Sequence, residues 1–454
     1  MTSGPLVPNI IRYSIPIMIS GLLQLMFNAA DIAVVGRFTG SEALAAVSAS
    51  GPVSNLLVTL FMGFSVGANV FCAQCAGAGD KDSFRKGVHT SMTFSVLAGF
   101  GLLIAGLAVS APLLGVIKTP QEIMPLAKLY IRIFFFGVPA TLVYNFGAAI
   151  LRAVGETEKP LIYLTCAGVL NVILNLVFVA LFHMGVGGVA LATVLSQLLS
   201  AVLVVRTMMT TSELYRLSVS GLGIDRRVLG RVLAIGVPAG IQSSSFSIAN
   251  LLIQSAVNSF GPTVMAASTV AGSVDGICSV AIDAMAQSAI SFAGQNYGAG
   301  NFPRIRKICV TATGLGCAVS LVIGVAMYGF SPVILRIFTE DPAVTGYARE
   351  IMFVVCVFSF INCLMSVPFN VVRGMNHSLF PMLSTLFCVC VLRVIWVYTI
   401  FARFRTVTML YMAWPVTKGI AAVTGIAYYL WVMRKETRWL EEQTRAGYSE
   451  VAEE

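Results

Sequence analysis

The chain has 454 residues, of which 57% are hydrophobic and only 11% charged, with a mean hydropathy of +0.86. An ordinary soluble domain carries roughly 25% charged residues, so this composition excludes a water-soluble globular protein and indicates an integral membrane protein. The net charge is +9, but with so few charges their positions matter more than their sum, and no nucleic-acid partner is expected.

A membrane-crossing helix needs about 20 mostly apolar residues. Apolar runs and their punctuation predict twelve of them, and strand-like alternation is absent, so a barrel is not expected. The first predicted span is 10–36. Asp31 is the only charged residue between Arg12 and Arg37. Intramembrane charges are costly and mark function by default. Gln24, Asn28 and Asp31 follow i, i+4, i+7 spacing, which puts them on one helix face. Such a stripe should meet water or another helix rather than lipid. The second span, 43–75, holds Cys72 and Cys75 as a CxxC with no second CxxC or His partner, and reads as helix packing. Spans three and four cover 88–112 and 126–150. The fifth, 160–183, carries Asn171 and Asn175 at i, i+4 spacing, able to bond a neighbouring helix or a ligand. The sixth, 187–206, adds Thr193. Carboxylate, amide and hydroxyl oxygens suit Na⁺, and a buried carboxylate with a raised pKa equally carries H⁺.

The most polar internal connection, 207–229, divides six spans from six. The later spans are 230–259, 264–294, 305–330, 346–371, 380–401 and 410–433. Span seven has a stripe of Ser243, Ser247, Asn250 and Gln254 but no acid. Span eight carries Asp275 and Asp283, placed either to meet organic cations or to pair with Arg393 and Lys418 as structure. The expected division is an N-terminal lobe 1–206, a cytoplasmic linker 207–229, a C-terminal lobe 230–433 and a cytoplasmic tail 434–454.

Basic residues orient the spans. Nineteen Lys and Arg, Arg445 included, fall on the side of the N-terminus; eight, Lys118 included, fall on the other; Arg393 and Lys418 lie within spans. Both termini are therefore expected in the cytoplasm. No cleavable signal peptide is expected in "MTSGPLVPNIIRYS".

An internal repeat runs through the chain. "AQCAGAGDKDSFRK" (73–86) matches "GQNYGAGNFPRIRK" (294–307) at an offset of 221, which also relates Gly40 to Gly261, Arg152 to Arg373 and Pro160 to Pro381. Pro16 and Pro238 differ by 222. Six spans per repeat give both halves the same orientation. The expected fold is all-α, twelve transmembrane helices in two six-helix lobes related by a pseudo-twofold along the membrane normal, an arrangement typical of transporters. His89, His183 and His377 do not cluster, and no metalloprotease, phosphate-loop or triad motif appears. No enzyme activity, cofactor or ATP use is expected, and a membrane-embedded transferase lacks its catalytic cluster.

Three stretches carry a resemblance: "SIPIMISGLLQLMFNAADIAVVGRFTGSEALAAV", "GQNYGAGN", and "ILRAVGETEKP" with its partner "VVRGMNHSLFP". By these the chain resembles the MATE family (multidrug and toxic compound extrusion), secondary antiporters of organic cations. The resemblance implies two lobes around a central cleft, alternating access, and a cation site at Asp31, Asn171, Asn175 and Thr193. These four are metal ligands only if the coupling ion is Na⁺. Members often have a second acid where Asn175 stands, so the ligand charge is lower here and Asp31 is the only acid of the set. NorM-like members carry C-lobe acids on helices seven and ten. Here helix seven is serine-rich and Asn362 stands near the helix-ten position, closer to DinF-like or MepA-like members. The expectation is a monomer in the cytoplasmic membrane exporting cationic amphipathic drugs or metabolites in exchange for H⁺ or Na⁺. The alternative is a flippase for a lipid-linked precursor, which needs a more cationic cavity.

Overall fold

The computed structural model describes residues 1–116, 119–339 and 341–453; Lys118 and the side chain of Arg445, both counted in the charge balance, lie outside what is described. All regular elements among these residues are helical. Among the described residues, twelve helices are long and apolar enough to cross a membrane. In the first half they are α1 (Leu6–Phe38), α2 (Ser41–Ala78), α3 (Lys81–Val116), α4 (Met124–Ala153), α5 (Glu158–Leu181) and α6 (Gly185–Thr210). In the second they are α7 (Arg226–Asn258), α8 (Pro262–Gly298), α9 (Phe302–Gly329), α10 (Pro342–Gly374), α11 (Leu379–Phe401) and α12 (Val407–Arg438). A short amphipathic helix, Ser331–Phe338, follows α9 and had no separate signal in the apolar runs. Helices satisfy their own backbone, the condition lipid imposes. Large apolar side chains such as Ile104, Val322 and Val423 are correspondingly exposed.

The repeat is visible in the turns. Gly40 and Gly261, 221 residues apart, have φ of 86° and 93° with ψ of 177° and −179°, a region open essentially to glycine alone. Gly155 (φ 98°) and Asn376 (φ 70°) share the same offset; asparagine is among the few other residues that tolerate positive φ. Asp80 and Asn301, again 221 apart, each accept a backbone N–H at a helix start: Ser83 at 2.9 Å and Arg304 at 3.2 Å. Even the wide helical turns recur. A π-helical segment begins at Leu176 in α5 and another at Val397 in α11.

The chain forms two compact units, Tyr13–Ser244 and Met1–Arg12 with Ser245–Glu454. The boundaries cut α1 after Arg12 and α7 after Ser244. In the first unit the connection before α7 is fastened to α3. Ser218 N–H donates to His89 Nε2 at 3.1 Å, and Asp225 N–H to Thr90 Oγ1 at 3.1 Å. Its core joins Phe71, Phe84, Phe146, Ile150, Val204 and Val232. Cys72 and Cys75 are buried free thiols in it. In the second unit Arg304 holds the N-terminal segment, donating to the carbonyls of Met1, Ser3 and Gly4 at 3.2, 2.8 and 2.9 Å. The core there includes Ile253, Val257, Val274, Met352, Leu410 and Tyr411.

Candidate functional site

Glycine at 168 lets α1 approach α5. A side chain there would overlap the Phe27 ring. One turn further along α1 stands Asp31, and opposite it α5 presents its two amides. Asn175 Nδ2 donates both to Asp31 Oδ1, in a short contact, and to Asn171 Oδ1 at 3.1 Å. Asn171 Nδ2 in turn reaches Ser196 Oγ on α6 at 3.5 Å. Ser196 donates to the Thr193 carbonyl at 2.8 Å, and Thr193 Oγ1 to the Val189 carbonyl at 3.1 Å. A polar chain therefore runs from α1 through α5 to α6. Asn171 and Asn175 are buried, while Asp31 is half-buried. Beyond it, Val34 and Val35 pack against Val179, Val186 and Val189, sealing one end with aliphatic side chains.

Three features distinguish this chain of bonds from a fully satisfied interhelix contact. Among the described residues no basic side chain lies within ion-pair distance of Asp31. Asn175 Oδ1 is buried without a hydrogen-bond donor, an uncommon state for a buried polar atom. In addition, the α5 backbone passes into its π-helical segment at the residue after Asn175. Such wide turns concentrate at functional positions.

The structure brings together Asp31, Asn171 and Asn175, with Thr193 joined through its backbone. It adds Ser196, three residues after Thr193 and so on the same face. Gln24 and Asn28 share the face of Asp31 by spacing, yet both are exposed and neither joins the chain of bonds. The stripe fixes a helix face; what covers that face is a property of tertiary packing.

In the second half, Ser243 donates to the Ala239 carbonyl at 3.1 Å and Ser247 is half-buried. Asn250, Gln254 and Asp275 line a cavity of about 370 Å³ with Ser268, Tyr411 and Trp414. Asp275 and Trp414 also line an adjoining pocket with Ser279, Asn362 and Lys418. Asp283 is exposed two turns further along α8. No carboxylate of Asp275 or Asp283 lies within ion-pair distance of Arg393 or Lys418 among the described residues, although both acids act electrostatically on Lys418. Arg393 is fully buried, donates to Asn250 Oδ1 at 3.1 Å and stacks on Trp414 at 4.9 Å.

The MatE family profile matches residues 16–177 and again 238–399, so the two matches start at Pro16 and Pro238. The probable multidrug resistance protein YpnP of Bacillus subtilis is 27% identical over 431 residues, 94% of this chain and 93% of that protein. The multidrug export protein MepA of Staphylococcus aureus is 21% identical over 351 residues, 77% of each. The crystal structure of MATE in complex with MaL6 shares the fold, with a TM-score of 0.90 at 23% identity over 96% of this chain and 98% of that one. Twelve apolar helices, a duplicated half and a family profile that matches each half lead to one conclusion: this multi-pass membrane protein belongs to the MatE family of transporters.

Proposed function

We propose that this protein exports cationic, amphipathic drugs or metabolites across the cytoplasmic membrane by alternating access, in exchange for inward H⁺ or Na⁺ at Asp31. The carrying observation is a membrane-embedded carboxylate with no basic side chain within ion-pair distance among the described residues, held by an amide from a second helix. The names of the relatives, multidrug resistance and export proteins, support the substrate class. Ion and substrate each have to discriminate between two states, since a ligand with equal affinity for both shifts nothing.

The orientation of Asn175 favours H⁺. It directs an N–H at Asp31, whereas a Na⁺ between them requires oxygens, and Asp31 is the only acid of the set. Turning the Asn175 amide over would present its donorless Oδ1 instead, an arrangement that suits Na⁺. The excess of basic residues on one side places both termini in the cytoplasm, and a single chain is the working unit. The test is ethidium transport by the purified protein in liposomes, with pH and Na⁺ gradients imposed separately and no ATP. Acceleration by the pH gradient is expected. Acceleration by Na⁺ alone moves the assignment to Na⁺, and flux indifferent to both gradients contradicts the reading.

A further inference from the structure

Asp275 stands on α8 where two pockets of the second unit meet. It lines the 370 Å³ cavity with Tyr411 and Trp414, and the smaller pocket with Ser279, Asn362 and Lys418. Asp275 is the one acid in either lining and Lys418 the one base. Neither is settled on a partner. Among the described residues no hydrogen bond engages the Asp275 carboxylate or the Lys418 ammonium, and no opposite charge lies within ion-pair distance of either. Charges within a membrane are costly in that state. The two attract each other across the smaller pocket, and Asp283 attracts Lys418 as well. Asp283 follows Asp275 by eight residues on the same helix, about 12 Å along its axis. Lys418 thus has two acids to answer to, on a flexible four-carbon stem. Arg393 is fixed by contrast: it donates to Asn250, lies over Trp414 and repels Lys418.

The wall of the larger cavity suits an aromatic cation. Trp414 and Tyr411 lie nearly parallel, 12° apart with ring centres separated by 5.0 Å, and both line it. Rings of this kind pack well against flat ligands and favour positive charge near their faces. The Tyr411 hydroxyl is bonded to Ser268 at 2.5 Å, Thr269 donates to the Met265 carbonyl at 3.0 Å, and Gln254 donates to Asn258 at 3.1 Å. With those groups committed within the protein, the Asp275 carboxylate is the charged group the wall offers to a ligand. The volume is that of a site for a drug-sized molecule.

We propose that this cavity seats an aromatic cation on Asp275, and that Lys418 is a tethered competitor for the same acid. When the cavity is empty, the Lys418 ammonium is drawn to Asp275. A ligand cation that takes Asp275 releases Lys418, which turns to Asp283, so each of the two cations keeps an acid. Asp275 is then the anchor, while Lys418 sets how tightly a cation must bind to displace it, and Asp283 receives the displaced ammonium. The proposal rests on the organic-cation reading above and not on ion coupling at Asp31, because binding is measured without any gradient.

The test is ethidium binding to the purified full chain in detergent, followed by its fluorescence, with thermal midpoints to confirm folding. Asp275→Asn should weaken binding on the order of tenfold or more, the scale of one charge-assisted contact. Lys418→Met, which keeps a flexible stem and deletes the ammonium, should tighten it several-fold. Asp283→Asn should weaken binding in the wild type, where Lys418 is left with Asp275 alone, and have little effect in the Lys418→Met background. An affinity indifferent to Asp275→Asn, an affinity that does not rise in Lys418→Met, or an Asp283→Asn loss of the same size in both backgrounds overturns the proposal and leaves the organic-cation reading standing. Failure of ethidium to bind at all overturns both. Lys418→Gln replaces Lys418→Met should the latter fail to fold, and should Asp275→Asn fail to fold, the direction of the Lys418 effect decides alone.

Discussion

Asp31 is held by a single amide donor, with no cation within ion-pair distance among the described residues. Each of the Asn175 amide hydrogens is committed, one to Asp31 and one to Asn171. Asn175→Ala therefore removes two hydrogen bonds and leaves a partly buried carboxylate without its donor. A loss of about 1–3 kcal/mol of stability is expected from unpairing alone, visible as a lower thermal midpoint, together with slower transport. Ser196→Ala, at the far end of the chain, should cost no more than about 1 kcal/mol. Equal effects of the two substitutions would show that Asn175 has no special tie to Asp31. At this scale the sequence was informative where chemistry was out of place. A lone carboxylate in an apolar run and two amides at i, i+4 spacing stood out. Ser196 did not, because a serine in an apolar helix is indistinguishable from a small packing residue. Arg393 and Lys418 were visible as intramembrane cations, but that no carboxylate lies within ion-pair distance of either among the described residues depends on side-chain directions that spacing does not encode.

Helices were the most legible elements, since lipid leaves the backbone few alternatives. The predicted first span, 10–36, became Leu6–Phe38, and the fifth, 160–183, became Glu158–Leu181. Differences lie at the ends, where capping decides. Asp225 shows how: hydrogen bonds, first from the Val228 N–H and then from that of Arg227, hold its carboxyl below the usual carboxylate range. A depressed folded-state pKa stabilises above the unfolded value and loses that contribution as pH falls through the folded one. Asp225→Ala should accordingly be less stable than wild type at neutral pH, with the difference vanishing in strong acid, as thermal melts across pH will record. Contact between elements was harder to foresee. Gly168 gave no sign that it receives Phe27. Gly168→Ala should destabilise by about 1–3 kcal/mol through overpacking, and Phe27→Ala in the same chain should recover part of it. Additive losses would place the strain elsewhere.

At the scale of the molecule, duplication organises both halves, and the asymmetry between them carries the chemistry. Turns, caps and π-helical segments recur at a fixed offset, while the Asp31 position becomes Ile253 at the Pro16–Pro238 spacing and Asn175 becomes Trp396 at 221. A repeat of six spans places the two α2–α3 and α8–α9 turns on the same side of the membrane. Cysteines introduced at Asp82 and Pro303, equivalent exposed positions, should both label from the cytoplasmic face with a membrane-impermeant maleimide. Opposite labelling would require an inverted repeat. The central claim is that Asp31 couples ion entry to export, and Asp31→Asn reconstituted in liposomes addresses it most directly. The neutral side chain should bring gradient-driven ethidium transport down to the rate without a gradient, while the protein keeps its thermal midpoint within a few degrees. Transport at the wild-type rate under the same gradient would contradict the account.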